Sequence, residues 1–309
     1  MSAEEFMKRR RVRGLVDLFE VSDQNEIRAL ARDPNLDRRF EAVTCPVNWL
    51  LLKRALKVLS FRGRRFPTVT PRDDAQRTSR QQELWDTLSE RAASIKNGPE
   101  ELEALAVWVR DAGPDGEPGV IVQQLLGQLF FTKFVATEAS WNAAKVLVAA
   151  PRSNNLPLMV WWFVSGKVRN AKRLLAGMVN DDLSAVNAIG IAVHNVVKSL
   201  GHMKILYASA ETRSGLSAQL AAEQCLFAPI SVYRQATAAG QLGDCPYSRH
   251  SLFVLSIGDA AQHSDGRSLV FMEDSWSRCP ANLWVPAMLQ GVWSRACAVA
   301  KSHHERCSG

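Results

Sequence analysis

A short apolar run, Leu269-Val270-Phe271-Met272, leads into a polar turn that ends on Arg278-Cys279-Pro280-Ala281. Leu283, Ala287, Leu289, Gly291 and Trp293 then continue at helical spacing. Pro280 suits the first position of a helix, where its missing N–H costs nothing and its fixed φ is already helical. The pattern therefore predicts a helix beginning directly after the cysteine. A cysteine at that place lies near the positive end of the helix dipole, which favours thiolate over thiol. Such a thiolate is a soft metal ligand. The other reading of Cys279 is a packed thiol, since a free cysteine commonly behaves as a small hydrophobe.

The 309 residues allow one large domain or two modest ones, and 47% hydrophobic residues give enough material for a full core. The net charge of +7 comes largely from Lys8–Arg13, Lys53–Arg65 and Lys167–Arg173. Basic runs of this kind read as solvated helix faces, or as contacts for an acidic redox partner or an acidic membrane surface. No zinc finger, RNA-recognition signature or basic zipper accompanies them, which argues against nucleic acid. The cysteines at 45, 225, 245, 279, 297 and 307 include no CxxC and no zinc spacing with histidine. They fit reduced thiols in a cytoplasmic protein. Met1-Ser2-Ala3-Glu4-Glu5 does not open a secretory signal. Leu156–Val164 is too short to span a bilayer and reads as core.

In chain order, residues 1–13 read as a basic flexible leader, 14–300 as a single helical domain and 301–309 as a tail. Leu15–Val21 alternates like a half-buried strand, and Ser22 or Asp23 can cap a helix that stops near Asp33-Pro34. Helices are expected over 47–59, 73–95, 100–110, 120–134, 138–149 and 167–179. A long one follows over about 183–204, capped by Asp181 or Asp182, and another runs from Ser217 to Phe227. Ser231–Ala236 and Ser251–Ile257 look like strands. The fold class is mainly α, with small β elements at the start and near the end.

This order of parts resembles the C-terminal half of a cytochrome P450. Leu220–Pro229, with Glu223, resembles that family's Glu-x-x-Arg helix running into its proline turn. Val232-Tyr233-Arg234-Gln235-Ala236 resembles the strand whose arginine reaches a haem propionate. Ser277-Arg278-Cys279-Pro280-Ala281 resembles the cysteine-ligand loop, and Leu18–Ala31 matches the family's usual opening strand and helix. The resemblance implies a single haem domain holding haem b, with Cys279 as the iron ligand. Arg234 and Arg278 are its candidates for the propionates, and Trp276 for packing near the sulfur. The departures are specific. Leu226 stands where the motif has arginine, Met272 and Ser275 replace a phenylalanine and a glycine, and the stretch from Glu223 to Cys279 is short.

Asn187–Asn195 resembles the middle of the family's long helix over the haem. Gly190 there is costly to a helix, by roughly 1 kcal/mol relative to alanine, and marks close approach by a ligand, here the cofactor, or a helix distortion. Where ordinary monooxygenases carry an acid and a threonine, this chain has Ile191-Ala192-Val193, followed by His194 and Asn195. His194 and Asn195 are the candidate distal groups, and His194 could act as acid or base near neutral pH. The loss implies a haem-thiolate enzyme that starts from peroxide or a hydroperoxide, acting on a small hydrophobic or lipid-like substrate. Two other readings stand beside it: a non-catalytic haem sensor or carrier, and a cofactor-free helical interaction protein.

Overall fold

The alternating run near the start forms a strand, Val16–Val21, and the rest of a five-stranded sheet assembles on it. The structure is a computed structural model that describes residues 7–41, 45–95, 100–111, 116–152, 157, 161, 162, 164–261 and 266–307. In chain order the strands are β1 Met7–Val12, β2 Val16–Val21, β3 Leu36–Asp37, β4 Ser60–Phe61, β5 Arg64–Arg65, β6 Val232–Ala236, β7 Gly240–Leu242, β8 Cys245–Tyr247 and β9 Leu252–Leu255. The main sheet has the order β1-β2-β9-β6-β3, and β4-β5 and β7-β8 form two small ladders. The remaining elements are mostly helices, so the molecule is mainly α with small β elements, as expected. The described residues fall into two compact units: Met1–Gln81 with Ala228–Cys279, and Gln82–Phe227 with Pro280–Gly309.

In the first unit, residues 7–12 correct the expected leader. They pair antiparallel with β2, Met7 opposite Val21 and Val12 opposite Val16. The run of cations conceals the strand, because Arg9 lays its guanidinium 4.6 Å over the Phe19 ring and reaches Asp17 at 3.3 Å. Its stem packs while its charge stays paired. Next to β2, β9 runs parallel, with Phe19 opposite Phe253 and their rings stacked at 4.8 Å. β6 then pairs antiparallel with β9, and β3 with β6, which brings Asp37 opposite Gln235. Leu18, Phe40, Leu52, Val69 and Leu252 form a buried cluster under this sheet.

Helix α1 (Gln24–Arg32) begins on Asp23, whose carboxylate accepts from Glu26 N at 2.8 Å, a cap legible in the sequence. Helix α2 (Pro46–Val58) is fixed by a less visible device. Asn48 is fully buried and pairs with the backbone of Asp17 as a strand would. Its Nδ2 donates to Asp17 O at 2.7 Å, and its Oδ1 accepts from Asp17 N at 3.2 Å.

The second unit is helical. It holds most of α3 (Arg77–Ile95), then α4 (Glu100–Arg110), α5 (Gly119–Gln128), α6 (Glu138–Arg152) and the helices Lys167–Met178, Ala210–Gly215, Ala218–Cys225 and Val285–Cys307. Thr137 Oγ1 accepts from Ser140 N, Asp182 from Ser184 N and Ala185 N, and Ser217 from Leu220 N. The long helix is not uniform: Leu183–Asn187 passes into a π-helical segment, Ala188–Ala192, before Val193–Ala208. Leu183–Ala208 is the one helix among the described residues long and apolar enough to cross a bilayer, and half of its apolar window is buried, as in a core helix. Residues 301–307, expected in a tail, continue the Val285–Cys307 helix. Most of the 156–164 apolar stretch lies outside the described residues.

Replacing Asn48 with alanine would remove two hydrogen bonds and strand the buried Asp17 N–H. Asn48→Ala should lower the unfolding free energy by about 2–3 kcal/mol, read from urea titrations at pH 7.5.

Candidate functional site

The turn before Cys279 is tied to itself. Ser275 Oγ donates to Met272 O at 2.9 Å and accepts from Ser277 N at 3.2 Å. Arg278 N donates to Ser275 O at 3.1 Å, and Cys279 N to Phe271 O at 2.7 Å. Met272 takes a left-handed φ of 52°, an uncommon conformation for a residue with a side chain. The Ser275 hydroxyl thus ties the two sides of the turn together. The helix expected at Pro280 is a 3-10 turn, Pro280–Leu283, and the α-helix proper starts at Val285. A turn of four residues carries little dipole, so nearby side chains must supply most of the electrostatic support for a thiolate at 279. Cys279 is exposed, whereas Cys225 is buried and its thiol is pushed up to about 12 by burial, which leaves it inert.

Trp276, three residues before Cys279, lies among three guanidinium groups. The guanidinium carbons of Arg77, Arg38 and Arg234 lie 4.4, 5.2 and 5.3 Å from its ring centroid. Each comes from a different element of the first unit: Arg77 from the start of α3, Arg38 from the residue after β3, and Arg234 from the middle of β6. Arg234 is fully buried, donating from Nη1 to Tyr233 O at 2.9 Å and from Nη2 to Ser277 Oγ at 2.6 Å. Arg77 donates to Thr70 O at 2.7 Å, and Arg38 reaches Pro67 O only at 3.5 Å.

The carboxylate beside these cations, Asp37, is already engaged. Its Oδ1 accepts from the N–H groups of Arg38 (2.6 Å) and Arg72 (2.7 Å), and its Oδ2 from Arg39 Nε (3.3 Å). Burial, foremost, pushes the Arg38 guanidinium well below its ordinary range. The charges of Arg234 and Arg77 add to the effect, and Cys279 and Asp37 oppose it. Burial and then Arg77 bring Arg234 down to about 9, against the pull of Asp37. Burial also lowers Arg77, against Asp37 and Asp74.

The Nε atoms of Arg38 and Arg234 and the Nε1 of Trp276 are buried, with no hydrogen-bond partner among the described residues. Orphaned donors on a buried surplus of positive charge call for an anion with several acceptor oxygens. The two propionates of a haem answer that description. Among the described residues no three His, Cys, Asp or Glu side chains gather to hold a metal ion. Cys279 thus suits a metal that brings its own remaining donors, as a porphyrin iron does. The residues present fit a haem.

In the second unit the π segment is stabilised from the side. Gln123, fully buried, donates from Nε2 to Ile189 O at 2.8 Å and to Ser140 O at 3.2 Å, and it accepts from Ser140 Oγ. A side-chain amide thus satisfies a carbonyl that the widened turn releases. Gly190 is packed by aliphatic neighbours: a Cβ there would meet Leu175 at 2.9 Å and Leu147 at 3.1 Å. His194 is half-buried and stacks on Trp141 at 4.7 Å, and the neighbouring Asn195 is half-buried too. Glu223 accepts from Gln219 Nε2 at 3.1 Å, one turn earlier.

Of the expected site residues, Arg234, Trp276 and Cys279 fall in the first unit around one cluster. Arg278 is exposed, its backbone shared between the turn and Gln81. Gly190, His194 and Asn195 belong to the second unit. Sequence reasoning missed Arg38, Arg77 and Asp37. The one local signal was the charged pair Asp37-Arg38 flanked by Leu36 and Phe40, unusual just after a helix stop.

No sequence-family model matches the chain, and no curated protein matches it significantly. Solved structures do. A P450 OleT variant in complex with arachidonic acid is 10% identical, with 93% of this chain and 82% of that one covered and a TM-score of 0.63. A variant of cytochrome P450SP alpha (CYP152B1) is 17% identical, covering 93% and 84%, TM-score 0.60. CYP154C4 from Streptomyces sp. W2061 is 15% identical, covering 94% and 83%, TM-score 0.55. The chain has the cytochrome P450 fold in abbreviated form.

The Arg234 shift has a definite sign. Its folded-state pKa lies below the unfolded value, so the charged form costs stability throughout neutral pH. That cost is relieved as pH rises through about 9. In haem-free protein, Arg234→Met should therefore unfold at higher urea than wild type at pH 7.5, and the gap should narrow between about pH 9 and 10.5.

Proposed function

We propose that this chain is a haem-thiolate enzyme, with haem b held by Cys279 at the iron and by Arg38, Arg77 and Arg234 at the propionates. The observation that carries the reading is the set of buried, unanswered donors of Arg38, Arg234 and Trp276 gathered in the same unit as an exposed cysteine. When bound, a thiolate-ligated haem iron supplies O–O bond cleavage. Trp276, lying among three guanidiniums, holds them apart and keeps their donors directed, since each cation is attracted to its ring face. Arg278, exposed beside the cysteine, is the further candidate for a propionate contact.

The oxidant we propose is a peroxide or hydroperoxide. Ile191-Ala192-Val193 offers neither an acid nor an alcohol for delivering protons to dioxygen. His194 and Asn195 are the distal groups in this reading. Stacking on Trp141 fixes the plane of the His194 imidazole, so that it can hold or move a proton at a ring nitrogen. The substrate is small and hydrophobic or lipid-like. The arachidonic acid bound to the OleT variant of the same fold favours a fatty-acid-like chain. We place the protein in the cytoplasm, where Cys45, Cys225 and Cys245 would stay reduced. The apolar stretch at 191–193 equally favours a haem carrier, and turnover separates the two.

Supplied with haem, the protein should absorb in the Soret region. Its reduced carbon monoxide complex should show the red-shifted band of a thiolate ligand. Cys279→His should keep the Soret absorbance and lose that shift. A protein that stays colourless, or a band unmoved in Cys279→His, contradicts the assignment. With hydrogen peroxide or a fatty-acid hydroperoxide, His194→Ala should lower kcat about 10²-fold or more while leaving the haem spectrum intact. Undiminished turnover removes His194 from the reaction, and no turnover in wild type leaves the carrier.

A further inference from the structure

Much of the positive charge of this chain lies in two segments of the first unit. Met7–Val21 and Cys45–Arg65 together carry eleven cations and two carboxylates, a surplus larger than the +7 of the whole chain. Both carboxylates are in use, Asp17 with Arg9 and Glu20 with Arg10. The same two segments expose aliphatic side chains: Val12 is 53% exposed, Leu15 45%, Val47 37% and Leu50 62%.

These four side chains are held together by the fold. Gly14 takes a φ of 72° and lets the chain turn tightly between β1 and β2, with Leu15 N donating to Val12 O at 2.9 Å. Leu15 O in turn accepts from Val47 N at 3.2 Å, which joins the hairpin turn to the first turn of α2. The paired hydrogen bonds of buried Asn48 to the Asp17 backbone lock the same junction. Val47 and Leu50, three residues apart, share one face of α2, and exposed Lys53 continues it. Exposed Arg11 and Arg13 flank the turn.

We propose that this rigid face docks the protein peripherally on an anionic lipid surface. Arg11, Arg13 and Lys53 would lie at the headgroup phosphates, and Val12, Leu15, Val47 and Leu50 would enter the boundary with the acyl chains. Aliphatic side chains ringed by cations suit a membrane interface, where apolar area and anionic headgroups both contribute. Nucleic acid uses the cations alone and adds aromatic stacking, and no aromatic side chain is among the exposed apolar residues of this face. Docking at this face would hold the protein beside a supply of lipid-like molecules. The docking itself does not depend on the haem reading.

The test is co-sedimentation of the full chain with vesicles of phosphatidylcholine alone, and of phosphatidylcholine with about 30% phosphatidylglycerol. Binding is expected to the anionic vesicles only and to weaken with salt. The double variant Leu15→Glu, Leu50→Glu should lower the partition about tenfold or more, and so should Arg11→Glu, Arg13→Glu. Unchanged urea midpoints show that the variants fold. The proposal is overturned if neither pair changes binding, or if wild type ignores anionic vesicles. Loss with the charge pair alone is also against it, since that describes electrostatic adsorption without entry of the aliphatic side chains. So is a dimer in vesicle-free solution that Leu50→Glu dissociates, since that makes the face a contact between copies.

Discussion

Three guanidiniums around one indole, those of Arg38 and Arg234 buried and that of Arg77 half-buried, are the constraint on which the first unit turns. Bringing like charges together away from water is among the more costly things a fold can do, unless a counter-charge answers them. Here β3, β6 and the start of α3 each deliver one arginine to Trp276, and the cysteine turn delivers the ring. Asp37 cannot balance the set, because its oxygens are taken by two backbone N–H groups and Arg39. An arrangement that keeps this cost at neutral pH makes physical sense as a seat for a dianion. In the proposed reading, the exposed cysteine of the same unit is the ligand of a metal that the dianion carries.

Part of this was legible in the sequence, and the reason is locality. Cys279 and Trp276 belong to one turn, and Arg234 sits in a run whose β texture is plain, so these three participants could be named in advance. Arg38 and Arg77 could not. Each lies in a stretch whose own pattern says surface: a charged pair after a helix stop, and the start of a polar helix. Only the sheet register and the packing on Trp276 make them neighbours of Arg234. The strand Met7–Val12 was hidden for a similar reason. Its cations satisfy no alternation rule, yet Arg9 packs its stem on Phe19 and finds Asp17 across the hairpin.

The second unit shows the reverse case. The caps at Thr137, Asp182 and Ser217 and most helix positions follow from sequence, because capping and apolar period are local properties. The π segment does not, since Ala188–Ala192 continues the helical pattern of its flanks. What widens the turn is a distant amide, Gln123, bonded to Ile189 O. The glycine that marked the segment lies within the π-helical distortion and is packed by the Leu175 and Leu147 side chains.

The central claim is that the cation cluster is a seat for the two carboxylates of a haem. The most direct test is a Soret titration of the same protein with haem and with haem dimethyl ester, whose propionates are capped and uncharged. The account predicts that the ester binds at least about 10²-fold more weakly, and that the difference largely disappears in Arg38→Met, Arg234→Met protein. Equal affinity for the two porphyrins would contradict it.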